Sequence, residues 1–269
     1  MRRAGHGRRK KHKMSRSLSL WAQRPITLAL LLTVGWIALG LGIGAAAMAL
    51  APQYQPDFIT LCVLSGVVAL LLTGLGWWRI VGFNAPSAWR ELRLLWLPAV
   101  VTLVLPFLAG VNLLDASTAV YLTVAYALTG FMEEAWSRGI ILQILRPTGV
   151  LPTVVYSALF FALLHATNFL FRNPAIVLAQ MVGAFCFGVA YAALRIRTNT
   201  LWFLVLLHAL HDLLLRYSNF PLIPLDVVQD ILLVAYGFYL IRHHRALDEA
   251  ARLAFAPAGS AALPTTPEQ

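Results

Sequence analysis

The sequence predicts an all-α membrane bundle of about eight transmembrane helices, with both ends of the chain in the cytoplasm. Three observations predict it. Of 269 residues, 59% are hydrophobic and 12% charged, whereas a soluble domain is about half apolar and about a quarter charged. The mean hydropathy is +0.74. Apolar runs of about 20 residues, the length that crosses about 30 Å of hydrocarbon as a helix, recur between turn-forming residues. This composition excludes a disordered chain, a coiled coil and a small disulfide scaffold.

The chain opens on a basic segment, residues 1–25, holding nine of the 21 Lys and Arg. It abuts an apolar run, so it reads as a cytoplasmic anchor facing anionic lipid, and no nucleic-acid partner is implied. The spans follow at roughly 26–50, 58–80, 94–113, 118–145, 152–171, 174–194, 199–217 and 223–242. Ile26–Leu50 is longer than a signal peptide's apolar region and should stay as a span. Gly40 and Gly44 within it form a GxxxG, which permits close helix contact. Pro52 and Pro56 close the first turn, and Asn84, Pro86, Asp115, Pro147, Pro174, Asn199, Pro221 and Pro224 mark the later ones. Residues 82–93, with Trp89, Arg90 and Arg93, suit a short interfacial helix. Trp77, Trp78, Trp89 and Trp96 suit an aromatic belt. Cys62 and Cys186 lie in apolar segments without paired spacing and read as small buried hydrophobes. Residues 26–93 thus form two spans and the interfacial helix, 94–217 a core, and 218–247 the last span. The Ala- and Pro-rich tail, 248–269, reads as disordered.

Orientation follows from charge. With the N-terminus inside and the spans alternating, 19 of 21 Lys and Arg fall on the inner side, leaving Arg172 and Arg216 outside. The expected localisation is a multi-pass protein of the cell membrane.

Ionisable residues inside spans are costly and therefore informative. The fourth span carries Glu133, Glu134 and Arg138, the fifth His165, and the seventh His208, His211 and Asp212. The first three spans and the eighth are read as free of ionisable residues in their interiors. Counted from the inner ends at about 1.5 Å per residue, Glu133 and His165 lie about 20 Å deep and His208 about 14 Å. Three segments thus bring polar groups to similar depth, which predicts one shared site. Glu134 and Arg138 are four apart and pair on one face, while Glu133 is turned about 100° away. His208 and Asp212 share a face, and His211 lies on a neighbouring line.

Glu133-Glu134-Ala-Trp-Ser-Arg138 resembles the EExxxR motif of the CPBP family, which includes CAAX prenyl endopeptidases, bacteriocin-processing and Abi-like proteins and related intramembrane glutamic proteases. Phe161-Ala-Leu-Leu-His165 resembles its FxxxH motif, and His208-Ala-Leu-His-Asp212 its third motif. The resemblance covers about residues 94–217. It implies an intramembrane endopeptidase that cleaves a membrane-associated or precursor peptide and uses neither a metal nor another cofactor. Glu133 would be the general base, with His165 helping to hold the water. His208 and Asp212 would face the oxyanion. Glu134 and Arg138 would orient the site, and Phe161 would pack beside it within reach of substrate. The bilayer and a protein or peptide substrate are the implied partners, and access from the inner face is expected. The family's third motif more often ends in Asn. Asp212 can meet the same need by donating as a neutral acid, or by accepting from His208 and so turning the ring's other nitrogen toward substrate. The second is preferred.

Other classes remain open on the same residues. Glu133, His165 and His208 could be a zinc set of a membrane hydrolase. Buried carboxylates and histidines also serve proton-coupled transporters, though no repeated halves are visible. A non-proteolytic scaffold is the last alternative.

Overall fold

The computed structural model describes residues 24–243. Most of the basic N-terminal segment, and the tail from 248, lie outside the described residues. Those described are helical, with one isolated bridge between Val111 and Ser218 and no strand. The main helices are α1 (Pro25–Leu50), α2 (Pro56–Leu75), α3 (Trp96–Leu103), α4 (Ala116–Glu134), α5 (Val150–Leu164), α6 (Pro174–Thr198), α7 (Trp202–Arg216) and α8 (Leu222–Arg242). Pro at the first position starts α1, α2 and α6, where its missing N–H has no helical partner to lose. The Asp115 side chain caps α4 and that of Asn173 caps α6.

Five helices are long and apolar enough to cross a membrane: α1, α2, α5 with its extension to Leu170, α6, and α8 from Ile223. The chain is therefore a multi-pass membrane protein. The other three expected spans are helical but do not meet both requirements. Within 94–113, α3 holds eight residues, about 12 Å of helix, before the chain turns at Pro106 and Gly110. The fifteen residues of α7 rise about 22 Å and include two histidines, an aspartate and an arginine. Helix α4 carries the paired acids at its end.

The expected interfacial helix is a 3₁₀ turn, Trp89–Leu95, while residues 83–88 run as a loop. Of the four tryptophans read as a belt, Trp89 and Trp96 are exposed, while Trp77 and Trp78 are half-buried against the core. Glu91 is not exposed: it is drawn inward to Arg197 at 3.1 Å. Cys186 is buried, but Cys62 lies on the exposed face of α2.

Helix α6 is central. It is buried continuously from Cys186 to Ile196, with α5 and α8 packed against it. Glycines set the approach distances. A Cβ on Gly188 would lie 2.9 Å from Cα of Ala158 on α5, and one on Gly130 2.8 Å from the Val205 carbonyl oxygen on α7. Gly40 and Gly44 face Leu64 and Thr60 of α2, as the GxxxG reading expects.

Alternation of the helices gives the bundle two ends. One end holds the connections 76–95, 146–149 and 199–201 and the close of α8. It carries Arg79, Arg90, Arg93, Arg146, Arg197 and Arg242, with Arg195 buried beneath them. The opposite end holds the connections 51–55, 104–115, 171–173 and 217–221. Among the described residues its arginines are Arg172 and Arg216, and its acids include Asp57, Asp115 and Asp226.

The basic end is tied tightly. The Leu201 N–H donates to the Gly82 carbonyl at 2.8 Å, and the Ser87 N–H to that of Thr198 at 3.1 Å. Arg195 donates through Nε to the Val81 carbonyl and through Nη1 to Asn199 Oδ1. Gly82 has φ +113°, and the Arg195 guanidinium occupies the space where a Cβ would project. Burial, with the nearby Arg195 charge, pushes Arg146 down to about 9.

Candidate active site

The EExxxR residues stand where α4 changes character. Beyond Glu134 the helix widens into a π-helical segment, Ala135–Ile141, before a last turn, Leu142–Leu145. Such segments add a residue to the turn and re-aim the side chains they carry. Arg138 lies inside it, buried, and donates from Nη1 to Glu134 Oε1 at 2.9 Å, so the predicted (i, i+4) pair is present. The rest of the guanidinium meets aromatic rings. Its Cζ stands 3.9 Å from the Phe161 ring centroid and 5.5 Å from that of Phe187. A planar, weakly hydrated cation suits this sandwich of carboxylate and ring faces better than an ammonium would.

Glu134 also holds His208. The imidazole Nδ1 lies 2.8 Å from Glu134 Oε1 and donates to it. The other nitrogen, Nε2, then faces Glu133 Oε2 and Asp212 Oδ2, each at 3.7 Å. That is too long for a hydrogen bond. The preferred sequence reading of Asp212 is thereby corrected: Glu134, not Asp212, fixes the His208 ring. The (i, i+4) spacing brings Asp212 beside His208, but the ring is already turned by a carboxylate from another helix.

His165 ends α5 and begins a 3₁₀ turn, His165–Leu170. Its Nδ1 is 3.2 Å from the Phe161 carbonyl. A carbonyl only accepts, so Nδ1 carries the proton in this contact and Nε2 is left as an acceptor in the neutral ring. Phe161 is 3% exposed, with Arg138 over its face and the His165 ring edge-on at 5.1 Å. It packs under the His165 and His208 rings. The His211 ring lies 5.6 Å from Phe187 and is not part of the cavity wall.

Glu133, His165, His208 and Asp212 meet at one cavity of about 300 Å³, completed by Thr129, Leu164, Thr167, Asn168 and Gln180. In a bundle this apolar, a cavity walled almost entirely by polar groups is a place for water and a polar ligand. Its wall is graded. Glu134 and Arg138 side chains are 0% exposed, His208 6%, Glu133 18% and Asp212 26%.

Sequence reasoning missed several polar groups. Asn168 donates from Nδ2 to Gln180 Oε1 at 2.7 Å across the cavity. Asn168 follows His165 by three residues, the spacing that aligns side chains on a 3₁₀ turn. Helix α8, read as free of interior ionisable residues, carries Asp226 and Asp230 near its start. A Cβ on Gly183 of α6 would sit 3.3 Å from Asp230 Oδ1, so that acid lies against a glycine gap.

The zinc reading can be tested on the donors themselves. Among the described residues, no group of three His, Cys, Asp or Glu is gathered to hold a metal ion. Glu133, His165 and His208 share a cavity without forming a ligand set.

The fold and site together define a multi-pass helical protein with an acid–imidazole cluster sunk in its bundle. Residues 115–214 match the family model described as type II CAAX prenyl endopeptidase Rce1-like. The matched stretch runs from the cap of α4 into the last turn of α7 and contains all three motifs, in agreement with the resemblance drawn from them; it indicates a protease. No curated protein and no solved structure matches the chain.

Proposed function

We propose that the chain is an intramembrane endopeptidase working by water activation. The observation that carries this reading is the convergence of Glu133, His165, His208 and Asp212 on one polar cavity inside an apolar bundle. Glu133 is the general base. His165, with Nδ1 committed to the Phe161 carbonyl, offers Nε2 as an acceptor to the same water. Water adds to the scissile carbonyl as its proton passes to Glu133. The tetrahedral oxyanion that forms needs donors fixed in advance. His208 supplies Nε2–H as the imidazolium, its ring set by Glu134 and Arg138. Asp212, beside it, donates in its neutral form. Collapse returns the proton from Glu133 to the leaving amine. Glu134 and Arg138 are positioning residues, since they act through His208.

The test compares protein termini in membranes carrying wild type or Glu133→Gln at equal expression. Gln keeps the shape and removes the base, so the expected loss of rate is about 10²–10⁴-fold. Termini found with wild type alone support proteolysis and identify substrates. Identical termini in two folded, well-expressed proteins would overturn the reading in favour of a transporter or scaffold. The Asp212 role has its own check: Asp212→Asn retains cleavage because an amide donates, and Asp212→Leu does not.

A further inference from the structure

The geometry points to a site loaded from the extracytoplasmic side, whose substrates are peptide segments exposed on that face rather than tails presented from the cytoplasm. The substrate half of this inference rests on the endopeptidase reading; the direction of access does not.

Four observations converge. First, the cavity wall extends one way only. Thr129 precedes Glu133 by a turn on α4, which starts at the end opposite the basic one. Thr167 and Asn168 follow His165 toward the 171–173 connection, Gln180 lies in the second turn of α6 after that connection, and Asp212 is one turn beyond His208 toward the close of α7. Thr129, Thr167, Asn168, Gln180 and Asp212 are all displaced from the Glu133–His165–His208 centre toward the end poor in arginine, and Leu164 alone stands on the other side, by a single residue.

Second, the other direction is filled. Arg138, Ile141, Leu142 and Leu145, on the π-helical segment and last turn that continue α4, are at most 1% exposed, as are Tyr191, Leu194 and Arg195 on α6. Leu201 and Leu204 close the same layer from α7 at 0%. From Glu134 to Leu145 this packing runs about 17 Å along the helix. It ends on the clamp of Gly82, Arg195 and Asn199. A peptide cannot reach Glu133 through it without unpacking the core.

Third, side-chain exposure rises in the same direction, from 0% at Glu134 to 6% at His208 and 26% at Asp212. Fourth, charge orients the molecule. Among the described residues the filled end carries the arginines other than Arg138, Arg172 and Arg216, and α1, which follows the basic segment in sequence, starts there. Excess Lys and Arg marks the cytoplasmic side. The open end therefore faces away from the cytoplasm.

The wall's chemistry fits a peptide main chain. Thr129 and Thr167 donate their hydroxyls to their own helices, at the Ala125 and Leu164 carbonyls, and so present lone pairs to the cavity. Gln180 accepts from Asn168 and keeps its amide hydrogens. Leu164 is the sole apolar side chain in the wall, which offers little to a long hydrocarbon chain. Main-chain N–H and C=O groups find acceptors and donors there.

The test is thiol labelling of the full chain in a bacterial membrane, with Cys62→Ser and Cys186→Ala as background. Asn168→Cys and Thr167→Cys report the cavity. Arg90→Cys reports the basic end, because the Arg90 side chain is 76% exposed. A membrane-impermeant maleimide is applied to intact spheroplasts and to sealed inside-out vesicles. The expected result is at least tenfold faster labelling of a cavity cysteine in spheroplasts, with Arg90→Cys labelled only in the vesicles. Cavity labelling confined to vesicles, the same sidedness for cavity and Arg90→Cys, or no labelling of either cavity cysteine would overturn it. Labelling needs no turnover. An outward cavity in a protein that yields no wild-type-specific termini would sink the endopeptidase reading and leave the access direction standing.

Discussion

The two ends of the bundle are built by different rules. At the basic end, backbone groups of the loops bind one another and a buried guanidinium, and a positive-φ glycine lets Arg195 lie flat against residues 81–82. At the opposite end the ties between connections are fewer and no buried guanidinium anchors them: the Asn112 and Asn219 N–H groups donate to the Tyr217 and Gly110 carbonyls, and Arg216 reaches the Tyr126 hydroxyl. Between them sits the carboxylate–guanidinium–imidazole cluster. The difference teaches that this site is held from one side and left open from the other. Rigid support comes from the basic end, and the polar cavity grows toward the looser one. Substitutions should therefore divide into those that lower stability and those that lower turnover.

The largest effect is expected at the centre. Arg138→Leu takes the guanidinium from buried Glu134 and leaves it with His208 alone. Removing one partner of a buried pair costs about 3–5 kcal/mol. The unfolding midpoint in detergent should fall steeply, and cleavage should be lost even where folded protein is recovered. A stable, active Arg138→Leu protein would refute the view that Glu134 and Arg138 fix His208.

At the basic end, Gly82→Ala places a Cβ against the Arg195 guanidinium at a backbone angle that L-residues avoid. Overpacking of this kind costs about 1–3 kcal/mol. Stability should drop while cleavage per folded molecule stays as in wild type. A selective loss of turnover would mean that the clamp takes part in catalysis, and the comparison of the two ends would fail.

The cavity wall should behave in the opposite way. Asn168→Leu and Gln180→Leu each break a partly exposed amide pair that supports no helix. The loss of one hydrogen bond to substrate is about 0.5–1.5 kcal/mol, or up to about tenfold in kcat/KM. The expected signature is a raised KM with the unfolding midpoint unmoved.

Much of this division was legible in the chain, for identifiable reasons. Glu133, His165, His208 and Asp212 stand out because ionised groups are costly in apolar helices, and helical spacing alone gave the Glu134–Arg138 pair. The Glu134–His208 bond was not legible. It joins residues 74 apart in sequence and depends on how closely α4 and α7 cross, which Gly130 sets. Asn168 and Gln180 gave no signal because neutral amides cost less to bury than charges. Asp226 and Asp230 disappear in the average of an apolar window, although two acids four apart are plain once residues are taken singly. Depth measured along the helices predicts that Glu133, His165 and His208 share one site, but it does not give the direction in which the packing opens. The third span failed on length because Pro106 and Gly110 turn the chain soon after α3.

The smallest expected effect lies at the open end, where Asp115 caps α4. Its carboxylate accepts from the Thr118 N–H at 2.9 Å and from the Ser117 hydroxyl. These hydrogen bonds, that of Ser117 foremost, hold the Asp115 carboxyl well below the usual carboxylate range. The group is ionised more readily in the folded chain than in the unfolded one. Its contribution is thus fully present above the ordinary carboxylate pKa and is lost as pH falls through the lowered folded value. Because Asp115 is exposed at the helix start, the change should be a small drop in the unfolding midpoint of Asp115→Ala near neutral pH. The gap from wild type should narrow in strong acid, once the wild-type carboxyl is protonated as well. A gap independent of pH would assign the cap's effect to shape and neutral hydrogen bonding. A large gap would show that the open end is held as firmly as the basic one, and the asymmetry between the two ends would then have to arise from the cavity alone.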